Sequence, residues 1–150
     1  MKVRQQAYFV LASNDLLPHE ITAEVGIEPD EMRERGSRST QPLRPVDNTW
    51  KLMGADIEQE LDVQIGVLID RLEPVGDRIQ SLVSDHDVSA TLQIVRYLGD
   101  EAGIEESLET PLKRLRRLPG QHQLLGWHLD QRALNFLVAI RAELDVDEYG

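Results

Sequence analysis

Residues 49–72 read TWKLMGADIEQELDVQIGVLIDRL, and two structural periods follow one another within that single stretch. Thr49–Met53 has the β-favouring composition of a strand. Behind it, Asp56 is placed to cap a helix with Gln59 three positions on, and Ile57, Leu61, Ile65, Leu68 and Leu72 recur at spacings of four, four, three and four residues. Pro74 stops that helix, and Val75, Ile79, Leu82 and Val83 mark one more short helix after it. A strand joined directly to an amphipathic helix needs a shared core, which makes the fold class α+β.

Upstream, Gln6–Ala12 is rich in aromatic and β-favouring residues and ends in the turn cluster Ser13-Asn14-Asp15, as a first strand would. Pro18 suits a first helical turn, and Gly26 suits a left-handed cap, so a short helix is expected over 18–25. Downstream, the dense apolar run Val88–Leu98 reads as a central strand covered on both faces. Leu124–Leu129 reads as another strand, and Asp130 then caps a last helix whose buried face is expected at Leu134, Leu137 and Val138, with Ala133 and Ile140 at its edge. Asp145–Tyr149 closes the chain as an edge strand, and Leu144 just before it is expected to share the buried face of the helix.

The expectation is one domain over residues 1–150, built on a mixed or antiparallel sheet of about five strands with helices packed on it. Tyr8–Asp30 and Trp127–Tyr149 share a plan of strand, acidic cap region and helix, which raises a pseudo-duplicated, ferredoxin-like version of that sheet. Two segments stand apart. The loop 28–48 holds three prolines and no periodicity, and loops of that length in a compact domain are functional or disordered. Residues 99–121 look like an insertion.

Composition narrows the function classes. The chain has no cysteine, which removes disulfides, thiolate nucleophiles and thiolate metal sites together. Its uncharged apolar runs fall far short of the ~20 residues that span a bilayer. Met1–Tyr8 lacks the apolar core of a secretion signal, so a cytoplasmic protein is expected. A net charge of −11 repels phosphates at long range, which disfavours generic nucleic-acid binding and favours a basic protein partner.

Neither phosphate-loop motif occurs, and no serine sits in a Gly-x-Ser-x-Gly elbow. His19, His86, His122 and His128 form no metal-ligand spacing, and Asp85-His86-Asp87 reads as a polar turn, so no metal and no cofactor is expected. Asp145 and Asp147, at period two, share one face of a strand, where a solvated edge is the simpler role. The basic run Lys113–Arg117 is interleaved with leucines that would pack on the domain.

The most distinctive cluster is in the long loop. Arg33, Arg35, Arg38 and Arg44 surround Gly36 and Ser37, and guanidinium groups match carboxylate or phosphate oxygens in pairs. With Trp50 at the loop's exit they form the candidate binding set, Trp50 having core packing as its alternative.

Tyr8-Phe9, the Val25–Pro29 turn, Arg35-Gly36, Asn48–Trp50 and the terminal Leu144–Tyr149 stand in the order seen in a bacterial family known as domain of unknown function 4279, which this chain resembles over nearly its whole length. Residues 99–121 depart from the family pattern. Members are sometimes grouped with immunity or toxin-neutralising proteins, so the resemblance implies a protein that binds and does not catalyse. The alternative function is a small enzyme or anionic-ligand-binding domain built on the Arg-rich loop 32–48, Trp50 and His86.

Overall fold

A computed structural model describes residues 2–36, 46–55, 59–105 and 126–150. Lys2–Ser13 forms a long strand (β1) whose strict alternation buries Val3, Gln5, Ala7, Phe9, Leu11 and Ser13 and leaves the residues between them half-exposed. Pro18–Val25 (α1) follows, its entry held by the Leu17 N–H donating to Glu20 Oε2 at 2.8 Å and its exit turned by Gly26 at φ 85°.

Glu31–Arg33 (β2) and Asn48–Met53 (β3) pair antiparallel, so the long loop contributes a short edge strand. Leu61–Leu72 (α2) buries Leu61, Ile65, Leu68 and Leu72, the stripe read from the sequence, but it begins behind Glu60; Asp56 and Ile57 lie outside the described residues. A 3₁₀ turn at Glu73–Val75 contains Pro74 and leads into Gly76–Asp85 (α3). Val88–Leu98 (β4), Ile104–Glu105 (β5), Gln131–Ala139 (α4) and Glu143–Tyr149 (β6) complete the order.

The strands run β2-β3-β1-β4-β6 across one mixed sheet, with β5 against the start of β1. Every pairing is antiparallel except β4 with β6. Parallel neighbours need a long crossover, and the segment containing α4 supplies it. Phe9, Leu11, Trp50, Leu52, Leu92 and Ile94 meet Ile21, Leu68, Ile79 and Leu137 from the four helices in a single core.

One polar side chain completes the sheet from outside it. β3 pairs with β1 only from Tyr8 onward and β5 only at Lys2 and Val3, which leaves a gap on that side. Gln64 of α2, fully buried, fills it: Ala7 N–H donates to Gln64 Oε1 at 2.8 Å, and Gln64 Nε2 donates to Gln5 O at 3.2 Å and Gln59 O at 2.9 Å. Gly54 lies against this junction, where a Cβ would stand 2.7 Å from Gln64 O and 3.0 Å from Ala7 O.

Four expectations change. The buried face of α4 is Ala133, Phe136 and Leu137, continued by Ile140, while Leu134 and Val138 are exposed at 42% and 76%. Ala133, Phe136, Leu137 and Ile140 follow the helical spacing i, i+3, i+4, i+7, with Gln131, Arg132 and Asn135 on the other side; the face expected at Leu134, Leu137 and Val138 omits Phe136 and lies to one side of this stripe, which packs against α2 and α3. Leu144 is likewise exposed, because β6 is an edge. The strand expected at 124–129, on which the mirrored plan of the two ends rested, is not formed over residues 126–129. β4 is covered on one face only among the described residues, its other side chains being half-exposed. Residues 106–125, which include the basic run, lie outside the described residues. Among the described residues, no helix is long and apolar enough to cross a membrane.

Candidate functional site

Side chains alternate along a strand, so the residues that stay out of the core emerge together on the opposite face of the sheet. Register then decides which of them become neighbours. Tyr8 of β1 stands beside Gln93 of β4, which stands beside Asp145 of β6. In the next row Lys51 stands beside Val10, and Val10 beside Thr91. At the far end Arg4, Tyr97 and Tyr149 share one row across β1, β4 and β6. Arg33 of β2 lies beside Thr49.

No helix among the described residues packs on this face. It holds a concavity of about 330 Å³ lined by Tyr8, Val10, Arg33, Thr49, Lys51, Thr91, Gln93 and Asp145 together with Val46 and Asp47. A second, of about 390 Å³, is lined by Arg4, Gln6, Tyr8, Lys51, Val95 and Tyr97 with Gln5. Tyr8 and Lys51 line both, so the two adjoin as one groove.

Charges of both signs line it. Lys51 Nζ lies 4.4 Å from the Tyr8 ring centroid and 3.2 Å from Glu31 Oε2. Arg4 lies 4.1 Å from the Tyr97 ring centroid, and its Nε donates to Asp100 Oδ2 at 2.7 Å. Tyr97 stacks on Tyr149 at 5.0 Å. Opposite these cations, β6 carries Asp145 and Asp147, the latter accepting from Gln93 Nε2 at 3.1 Å. Burial, and then the carboxylates of Asp147, Asp145 and Glu31, push the Tyr8 phenol above its ordinary pKa. At neutral pH it therefore keeps its proton.

The candidate residues divide. Arg33 lines the groove. Arg35 sits at the loop's start, its backbone N–H donating to Asn48 Oδ1 at 2.8 Å, and Arg38 and Arg44 lie outside the described residues. Trp50 is fully buried on the helical side, its Nε1–H donating to Thr22 Oγ1 at 3.1 Å. It is excluded from the groove by parity, since its neighbours Thr49 and Lys51 are the ones that face it. His86 borders a different hollow, with Glu24, Asp77 and Asp85 near α3. Among the described residues, no three histidine or carboxylate groups gather as a metal site.

Asp145 and Asp147 do share a face, as their spacing indicated. Tyr8, Lys51, Gln93 and Tyr97 were not singled out from the sequence. The signal for them was the alternation itself, because the residues of β1, β3 and β4 that alternate with the buried ones must face the groove.

The fold and the groove together define an open-faced α+β protein, with one helical layer, one sheet, and a tyrosine-lined groove bordered by opposite charges. The chain belongs to the family described as Domain of unknown function (DUF4279), whose model matches residues 1–150. No curated protein and no solved structure matches it.

Proposed function

We propose that this protein is a non-catalytic binding module that docks another protein on the open face of its sheet. The observation that carries the reading is the groove centred on Tyr8 and Lys51, half-exposed and amphipathic, which no helix among the described residues covers. Tyrosines supply large contact area at low conformational cost, and charges of both signs at a rim set register and orientation in protein recognition. The phenol of Tyr8, held protonated, adds a directional donor at the centre.

The reading is tested by placing a photo-crosslinking residue at Thr91 or Gln93 in the source cells, with the exposed helical position Glu24 as control. The expected result is a discrete protein adduct from the groove positions that disappears when Lys51→Glu is added. Equal adducts from Glu24, or none from the groove, would overturn it.

A second reading, a small anionic ligand, is supported by Arg33 and Lys51 lining a concavity whose volume falls within the range of small-molecule sites. It predicts that a multivalent anion such as citrate or pyrophosphate raises the melting temperature of the wild type but not of an Arg33→Gln, Lys51→Gln variant.

A further inference from the structure

β6 is the last strand of the sheet, and all seven of its residues are exposed. Its inner edge is fully paired with β4. Its outer edge presents main-chain N–H and C=O groups that no strand among the described residues pairs. Such an edge templates the addition of a foreign strand unless something prevents it.

The two faces of β6 differ in chemistry. Glu143, Asp145 and Asp147 stand in register with Thr91, Gln93 and Val95 and so lie on the groove side. Leu144 and Val146, in register with Leu92 and Ile94, lie on the helical side, where they are exposed at 43% and 39%. An edge shaped only to repel other strands would have no use for two exposed aliphatic side chains in alternation with its charges. The carboxylates disfavour one occupant, because two copies of β6 laid side by side would oppose like charges.

Charge complementarity then specifies the partner. We infer that the outer edge of β6 accepts one extended segment of another protein in which Lys or Arg alternates with aliphatic residues. Its basic side chains would stand beside Glu143, Asp145 and Asp147, and its aliphatic ones would cover Leu144 and Val146. The added strand would also extend the floor of the groove by one strand. This inference does not depend on what occupies the groove, and the groove test does not probe it.

β6 is tied firmly enough to β4 to serve as a template. Arg96 Nη1 donates to Glu148 Oε1 at 2.7 Å with the arginine side chain buried, Gln93 holds Asp147, and Tyr149 stacks on Tyr97. The strand is therefore clamped to β4 by side chains as well as by its ladder.

The experiment uses the full chain and a synthetic probe, a fluorescent peptide alternating Lys with Val over the length of β6, read by anisotropy and by amide chemical shifts. Two arms are compared with it: the same peptide N-methylated at alternate backbone amides, and the protein variant Asp145→Lys, Asp147→Lys. The expected result is saturable binding with shifts concentrated at 143–149, weakened about tenfold or more in each arm. Equal binding of the N-methylated peptide would reduce the interaction to charge attraction and overturn the proposal, and this arm does not require the protein variant to fold. A concentration-dependent dimer of the chain that disappears in the charge-reversed variant would overturn it as well, by assigning the edge to a second copy.

Discussion

Replacing Gln64 by leucine removes the side chain that fills the gap between β3 and β5 along β1. The substitution keeps α2 and nearly keeps volume, but it removes the acceptor of Ala7 N–H and the donor to Gln5 O, both buried. A buried main-chain group left without its partner costs about 1–3 kcal/mol, so two of them cost about 2–6 kcal/mol. The extra apolar burial of leucine offsets on the order of 1 kcal/mol of that. The net loss is a large share of the ~5–15 kcal/mol that holds a domain together. Urea unfolding should show a lower midpoint at unchanged slope. Hydrogen exchange locates the effect: the Ala7 amide should lose protection beyond the global loss, while amides of β1 paired with β3, such as that of Leu11, should lose only the global amount. Because Gln6 and Tyr8 flank Ala7, the same variant should loosen the groove. A midpoint equal to wild type, or an Ala7 amide still protected to the global limit, would refute this account of the junction.

On α4, Leu137→Ala should cost about 2–5 kcal/mol, as for a buried leucine. Val138→Ala should stay within about 0.5 kcal/mol, as for a surface change; equal costs in denaturant would refute the helix phase described above. Asp30 gives a pH test. Burial pushes its carboxyl up, but Arg71 Nη1 and the Met53 N–H, each donating to Oδ2 at 2.8 Å, outweigh it and hold its pKa below the ordinary value. A lowered folded pKa contributes stability above the unfolded value of about 3.9 and loses it as pH falls through the folded value. The stability gap between wild type and Asp30→Asn should therefore be constant from about pH 5 to 8 and close below about pH 4. It should also be modest, since the Asp30 side chain is 39% exposed. Tyr8 is the reverse case: its folded pKa is raised, so its contribution is present below the unfolded value of about 10 and lost above it. Ultraviolet titration should show Tyr8 ionising late, and Asp145→Asn, Asp147→Asn should bring it back toward the ordinary value.

Local chemistry was legible in the chain alone. Pro18 and Gly26 bounded α1 at both ends, Pro74 separated α2 from α3, and Val88–Leu98 carried β4 at its full length, because caps, breakers and short-range periodicity act within a few residues. The terminal pair Asp145 and Asp147 was placed on one strand face by the same rule of two. What required the tertiary structure was every choice that depends on a distant partner. The phase of α4 turns on which apolar residues form its stripe: Ala133, Phe136, Leu137 and Ile140 recur at helical spacing with Leu134 and Val138 flanking them, and packing against α2 and α3 leaves that flanking pair exposed. Gln64 reads as a polar interruption of a helix until β3 is seen to stop short along β1. The groove existed in the sequence only as the unburied half of three alternating strands. Register across β3, β1, β4 and β6 is what sets Tyr8, Gln93 and Asp145 in one row and Lys51 in the next, and register is fixed by the packing of the whole sheet on its helices, not by any stretch of the chain taken singly.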